Sequence, residues 1–180
     1  FLKERYSRQQ LKERIICITD EKRGALRQIA EKEGYRTFTI PDSVGGRFSV
    51  LTPAGLVPLA IAGVDIQGLM EGARKAETEY AARDLDQNSA YQYAASRCLL
   101  YKKKKAVEVL STFYPDFFYL GEWWKQLFAE SEGKDGQGVF PSSLVFTTDL
   151  HSLGQFLQEG TRNIFETFLL MDKTRHQFPI

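Results

Sequence analysis

Residues 14–41 read RIICITDEKRGALRQIAEKEGYRTFTIP, and the fold class follows from this stretch. RIICITD is a short β-branched run closed by Asp20, the pattern of a buried strand. In the helix-permissive segment after it, Leu26, Ile29 and Ala30 share one face and Gly34 supplies a C-terminal stop. RTFTIP gives a second strand, ended by Pro41. Strand, helix and strand at this spacing form a βαβ unit, which favours a parallel sheet.

Working outward, FLKERYSRQQLKER is polar and helix-permissive, with Phe1, Leu2, Tyr6 and Leu11 as its apolar anchors. On the other side comes DSVGGRFSVLTPAGLVPLAIAGVDI, where Thr52 and Pro53 suit the N-cap and first turn of a helix. That helix is apolar nearly all round and is expected to be buried. DIQGLMEGARKAETEYAA and NSAYQYAASRCLLYKKK read as two further amphipathic helices. A second β/α alternation starts near Ala106: AVEVLSTFY (strand), FYLGEWWKQLFAE (helix), SSLVFTTD (strand), DLHSLGQFLQEG (helix) and NIFETFLLM (strand). The expected class is therefore α/β, with doubly wound parallel sheet layers and flanking helices.

The totals exclude several functional classes. A chain of 180 residues with 43% hydrophobic and 26% charged residues is globular, and its formal charge of +1 gives no argument for nucleic acid or an anionic membrane. The basic run Lys102–Lys105 fits a solvated helix end. Cys17 and Cys98 are too few for a disulfide framework, which makes a reduced, cytoplasmic setting the default, with Cys17 a buried free thiol. No apolar run approaches the roughly 20 residues that span a bilayer. His151 and His176 are the two histidines, and neither has a metal-ligand spacing, so no metal site is expected. The first residues read as mid-helix without Met, which leads us to expect a piece of a longer protein.

Three segments could carry chemistry. In GGRFS, Gly45 and Gly46 permit close approach of a ligand, and the planar guanidinium of Arg47 could hold a phosphate, carboxylate or enediolate. A tight turn before a surface arginine fits the same residues. In WWKQLFAESEGKDGQG, Leu120, Trp123, Trp124, Leu127 and Phe128 share a helical face, with Gln126 and Glu130 one turn apart on its border. A carboxylate there could be partly desolvated and so raised toward useful base strength, or could simply sit on a wet last turn. The glycines that follow do not have Walker-loop spacing. In FTTDLHSLGQFLQEG, Thr147, Thr148 or Asp149 could cap a helix whose first turn holds His151, with Gln155 on the same face. A helix N-terminus would keep that imidazole neutral, able to give or take a proton. A surface histidine is the plainer alternative.

Taken together, DSVGGRFSVLTPAG, EWWKQLFAESEGKDGQGVFPSS and FTTDLHSLGQFLQEGTRN resemble the glucose-6-phosphate isomerase family, in the shorter form of Gram-positive bacteria. The similarity runs over essentially the whole chain, and Ala129 stands where the family pattern has Gly. The resemblance implies interconversion of glucose 6-phosphate and fructose 6-phosphate through a cis-enediol(ate), in glycolysis and gluconeogenesis. It implies that Glu130 moves the proton, Gln126 contacts substrate, Arg47 stabilises the enediolate beside Gly45 and Gly46, and His151 opens the sugar ring from a neighbouring subunit. A cytoplasmic homodimer with shared sites, needing neither metal nor cofactor, is what it implies as an assembly. It also implies two sugar-isomerase (SIS) domains. Residues 1–63 would fall in the later part of the first, 64–105 in connecting helices, and 106–180 in the early part of the second. The family's phosphate-binding loop and its catalytic lysine would lie outside the chain, which leaves the fragment inactive alone. A non-catalytic phosphosugar-binding module is the alternative on the same fold.

Overall fold

The computed structural model describes residues 1–172, apart from the side chain of Thr147. The chain forms two compact units, Phe1–Glu79 and Tyr80–Ile180. Both are parallel sheets flanked by helices, the architecture that the alternating pattern predicts.

The first unit runs α1 (Leu2–Arg5), α2 (Arg8–Arg14), β1 (Ile16–Thr19), α3 (Ala25–Glu33), β2 (Arg36–Thr39), a 3-10 turn (Gly46–Leu51), α4 (Pro53–Ile61) and α5 (Ile66–Glu79). Ser7 and Gln10 close a capping box that starts α2. Gly34, at φ 72°, ends α3 with its N–H on the Ala30 carbonyl. β1 and β2 pair in parallel from Ile16↔Arg36 to Thr19↔Thr39, so the βαβ reading holds, but of the two strands only Cys17 is buried, where the β-branched run suggested a buried strand. Leu11, Cys17 and Ala30 are the buried apolar residues here, one each from α2, β1 and α3. Cys17 is the expected buried free thiol.

The apolar helix α4 departs from expectation. Thr52 does cap it, accepting from the Ala54 N–H at 3.2 Å, and Pro53 opens it. Yet no residue of α4 is buried, and Ile61 is 73% exposed. Its main neighbours are the 3-10 turn and α5, and these cover only part of an apolar cylinder. Composition shows that a helix has apolar surface to cover, but not what covers it.

The second unit runs α6 (Ser89–Lys102), β3 (Val107–Thr112), α7 (Phe118–Glu132), β4 (Phe140–Val145), α8 (Phe146–Glu159) and β5 (Ile164–Phe168). Its sheet has the order β4-β3-β5, all parallel. β3 is central and almost wholly buried. Val109, Leu144 and Phe146 make the core, with Val107, Leu157 and Ile164 packed against it. The chain leaves β3 toward one edge through α7 and returns past it to the other through α8. Right-handed crossovers then put α7 and α8 on opposite faces of the sheet. α7 lies close because Gly121 has no side chain: a Cβ there would come within 2.9 Å of the Ser143 Cβ on β4. Asn88, fully buried, fixes the start of α6 by accepting from the Ala90 and Tyr91 N–H groups and donating to the Tyr80 and Ala82 carbonyls. The lysine run at the end of α6 is a solvated helix end, with Lys102, Lys103 and Lys104 exposed. No helix among the described residues is long and apolar enough to cross a membrane.

Candidate active site

α7 carries the first pair of candidates. Its inward side is aromatic: Trp124 lies 5.0 Å and Tyr93 of α6 6.2 Å from Phe128, centroid to centroid. Gln126 and Glu130 fall one turn apart on the outer border, and Gln126 Nε2 donates to Glu130 Oε1 at 3.0 Å. Both side chains are exposed. The carboxylate therefore stands at the solvent edge with one oxygen already oriented, where a ligand can reach it. The helix stops at Gly133, and Lys134 to Gln137 close a tight turn with Asp135 at φ 53° and Gly136 at φ 67°. Positive φ at both central positions marks a hairpin-type turn, in keeping with the exclusion of a Walker loop.

Beneath that last turn lies a polar cluster that pattern reading missed. Arg97 of α6 is 5% exposed and Glu108, on the central strand, 0%. Arg97 Nε donates to Glu108 Oε2 at 2.5 Å, and Arg97 Nη1 bonds Glu132, the last residue of α7. Glu108 Oε1 also accepts from the Tyr93 hydroxyl at 2.6 Å and from Thr167 of β5 at 2.7 Å. The guanidinium lies 4.1 Å from the Phe128 ring centroid. Burial works against the Arg97 charge, but its hydrogen bonds to Glu132 and Glu108 outweigh that and hold the group above its ordinary pKa. Burial, then the bond to Glu108, push the Tyr93 phenol up as well. Arg97 Nη2 is buried with no hydrogen-bond partner among the described residues. A cavity of about 160 Å³ adjoins the cluster, bordered by Ala94, Arg97, Cys98, Tyr101, Glu132 and Val139. The available signals were a glutamate inside the strand run AVEVLS and an arginine inside AASRCLL.

Arg47, Gly45 and Gly46 belong to the first unit. Arg47 is half-buried at the start of the 3-10 turn, its guanidinium 4.8 Å from the Phe48 ring centroid. The glycines are not needed for backbone freedom: Gly45 takes φ −68° and ψ 159°, and Gly46 begins the 3-10 turn. A Cβ on Gly46 would meet nothing within 4 Å. Open space beside the backbone is the feature that remains, and it suits close approach by a ligand.

His151 is exposed on α8. α8 begins at Phe146, earlier than the sequence suggests, because Asp149 accepts from the Val145 N–H at 2.9 Å from inside the helix. FTT is thus helix and not strand, and His151 falls in the second turn. Gln155, one turn on, donates to Glu159 at 2.9 Å. The structure brings Gln126 to Glu130 but leaves His151 on the far face of the sheet. His176 lies outside the described residues. Among the described residues no group of three or more His, Cys, Asp or Glu could hold a metal ion.

No family model matches the chain. Curated relatives do. The chain is 54% identical over 173 residues to a glucose-6-phosphate isomerase of Caldanaerobacter subterraneus subsp. tengcongensis, covering 96% of this chain and 38% of that protein. It is 52% identical over 179 residues to glucose-6-phosphate isomerases of Bacillus thuringiensis and Bacillus cereus, covering 99% of this chain and 40% of theirs. Among solved structures, a hypothetical protein from Thermus thermophilus superposes with a TM-score of 0.82 at 34% identity, over 93% of this chain and 40% of that one. With more than half its residues shared along almost its whole length, and spanning about 40% of the relatives it matches, the chain belongs to the glucose-6-phosphate isomerase family.

Proposed function

We propose that the protein carrying this chain interconverts glucose 6-phosphate and fructose 6-phosphate, with Glu130 as the group that moves a proton between C2 and C1. The observation that carries this is the exposed Glu130 carboxylate, oriented by Gln126 at 3.0 Å on a helix packed firmly against the sheet. A proton alpha to a carbonyl needs a fixed carboxylate, and the enediolate it leaves needs a cation; Arg47 supplies that charge beside the open backbone of Gly45 and Gly46. Gln126 holds Glu130 in register and contacts substrate. His151 acts as acid and base at the ring oxygen.

The siting of α7 and α8 on opposite sheet faces supports a shared site, in which His151 of one copy serves Glu130 of another. On this reading the protein is a cytoplasmic homodimer. Residues 1–63 are the later part of a first SIS domain, 64–105 connecting helices and 106–180 the early part of a second. The chain by itself holds neither a Ser-Lys-Ser/Thr-Gly-Thr type loop nor a QxGVE type signature, and it turns over no substrate alone. The test is fructose 6-phosphate conversion by the full-length protein with and without Glu130→Gln. A loss of about three or more orders of magnitude, with folding and ligand binding retained, supports the assignment; near-normal turnover refutes it.

A further inference from the structure

We infer that Arg97 and Glu132 form a positioning clamp that fixes the last turn of α7, and so the reach of Glu130, for the proton transfer proposed above. This inference rests on that assignment of Glu130. Glu130 is exposed on the final turn of α7, and Gln126 donates to one of its oxygens at 3.0 Å. Its precision therefore depends on how well the final turn is held, and final turns fray.

The last turn of α7 holds no basic residue to complement its carbonyls, and Gly133 and the turn Lys134–Gln137 follow directly. Arg97, reaching across from α6, supplies what the helix lacks. Its guanidinium bonds Glu132 and stacks on Phe128, the two residues that flank Glu130 at a spacing of two on either side. The same guanidinium is anchored at 2.5 Å to Glu108 on the central strand, which Tyr93 and Thr167 hold in turn. A buried, planar, forked cation thus links the rigid centre of the sheet to the turn that bears the base. Glu130 is exposed, whereas the guanidinium is buried. Its effect is on where Glu130 stands, and misplacement of a catalytic group by about 1 Å can cost about 100-fold.

The test uses Glu132, whose side chain is 35% exposed, in the full-length protein. Glu132→Ala removes the outer end of the clamp and leaves the Arg97–Glu108 pair intact. The expected result is a kcat lower by about 10- to 100-fold with KM within about threefold of wild type. Glu132→Gln keeps an acceptor for Arg97 and should recover kcat to within about threefold. Arg97→Lys keeps the buried charge but not the fork, and should reproduce the kcat loss of Glu132→Ala. A lowered melting temperature with kcat unchanged, or a rise in KM alone, overturns the inference. Glu130→Gln run alongside separates the two layers. If it abolishes turnover while Glu132→Ala does not lower kcat, only the clamp is wrong; if it leaves turnover intact, the base assignment falls and the clamp with it.

Discussion

Glu108→Leu is the sharpest probe of how the second unit is held together. The carboxylate is wholly buried and has three donors on it: Arg97 at 2.5 Å, Tyr93 at 2.6 Å and Thr167 at 2.7 Å. Leucine fills similar space but accepts nothing. Losing the charge-assisted bond costs about 1.5–3 kcal/mol, and leaving two hydroxyls without an acceptor adds about 1 kcal/mol each. The sum, about 3–5 kcal/mol, agrees with the usual cost of removing one partner from a buried ion pair. Trp123 and Trp124 are the two tryptophans of the chain, and both stand on α7 in this unit. Their fluorescence through a urea titration therefore reports on the right part of the molecule. With a slope of about 2 kcal/mol/M, the midpoint should fall by about 2 M at unchanged slope. Adding Arg97→Met should return much of the loss, since an apolar pair in place of a buried ionic one is often close to neutral. A single-variant loss below about 1 kcal/mol, or no recovery in the double variant, would refute the view that this cluster is energetically one unit.

Other outcomes follow from the same geometry. Tyr93, its phenol raised above the ordinary 10.0 by burial and by Glu108, contributes stability that is complete below about pH 10 and lost as pH climbs toward the raised value. Stability should therefore fall less steeply above about pH 10 in Tyr93→Phe than in the wild type, and an identical slope would count against the shift. Gly121→Ala should cost about 1–3 kcal/mol by pushing α7 off Ser143; a neutral change would show that the helix seats more loosely than described. The chain by itself should show no measurable conversion of fructose 6-phosphate in a coupled assay, and robust turnover would contradict the division of the site described above.

What pattern reading recovered was local. The strand at Ile16, the helix α3 and the stop at Gly34 each follow from spacing within one element and stand where expected, but Ile16, Leu26 and Ile29 are exposed, because burial depends on what packs there. The pairing of Gln126 with Glu130 is local in the same sense, being one helical turn. The start of α8 was misplaced because Asp149 caps from within the helix, so its capping signal sits three residues late. The apolar content of α4 gave its helicity but not its exposure, which depends on what packs there. The Arg97 cluster escaped because it joins residues 11 and 35 positions apart, and a lone Arg in an amphipathic helix reads as surface. The candidate site is divided in the same way. Gln126 and Glu130 were legible together, whereas the position of His151 across the sheet emerges only from the crossovers of β3, β4 and β5.

That division gives the most direct test of the account. Glu130→Gln and His151→Ala forms of the full-length protein, each inactive alone, are mixed, dissociated and allowed to reassemble. If Glu130 of one copy works with His151 of another, half the dimers are mixed and each has one intact site of two. Activity should then return to about a quarter of wild type. If both variants are inactive and the mixture stays inactive although mixed dimers have formed, the base and the histidine act within one copy, and the shared site proposed here is wrong.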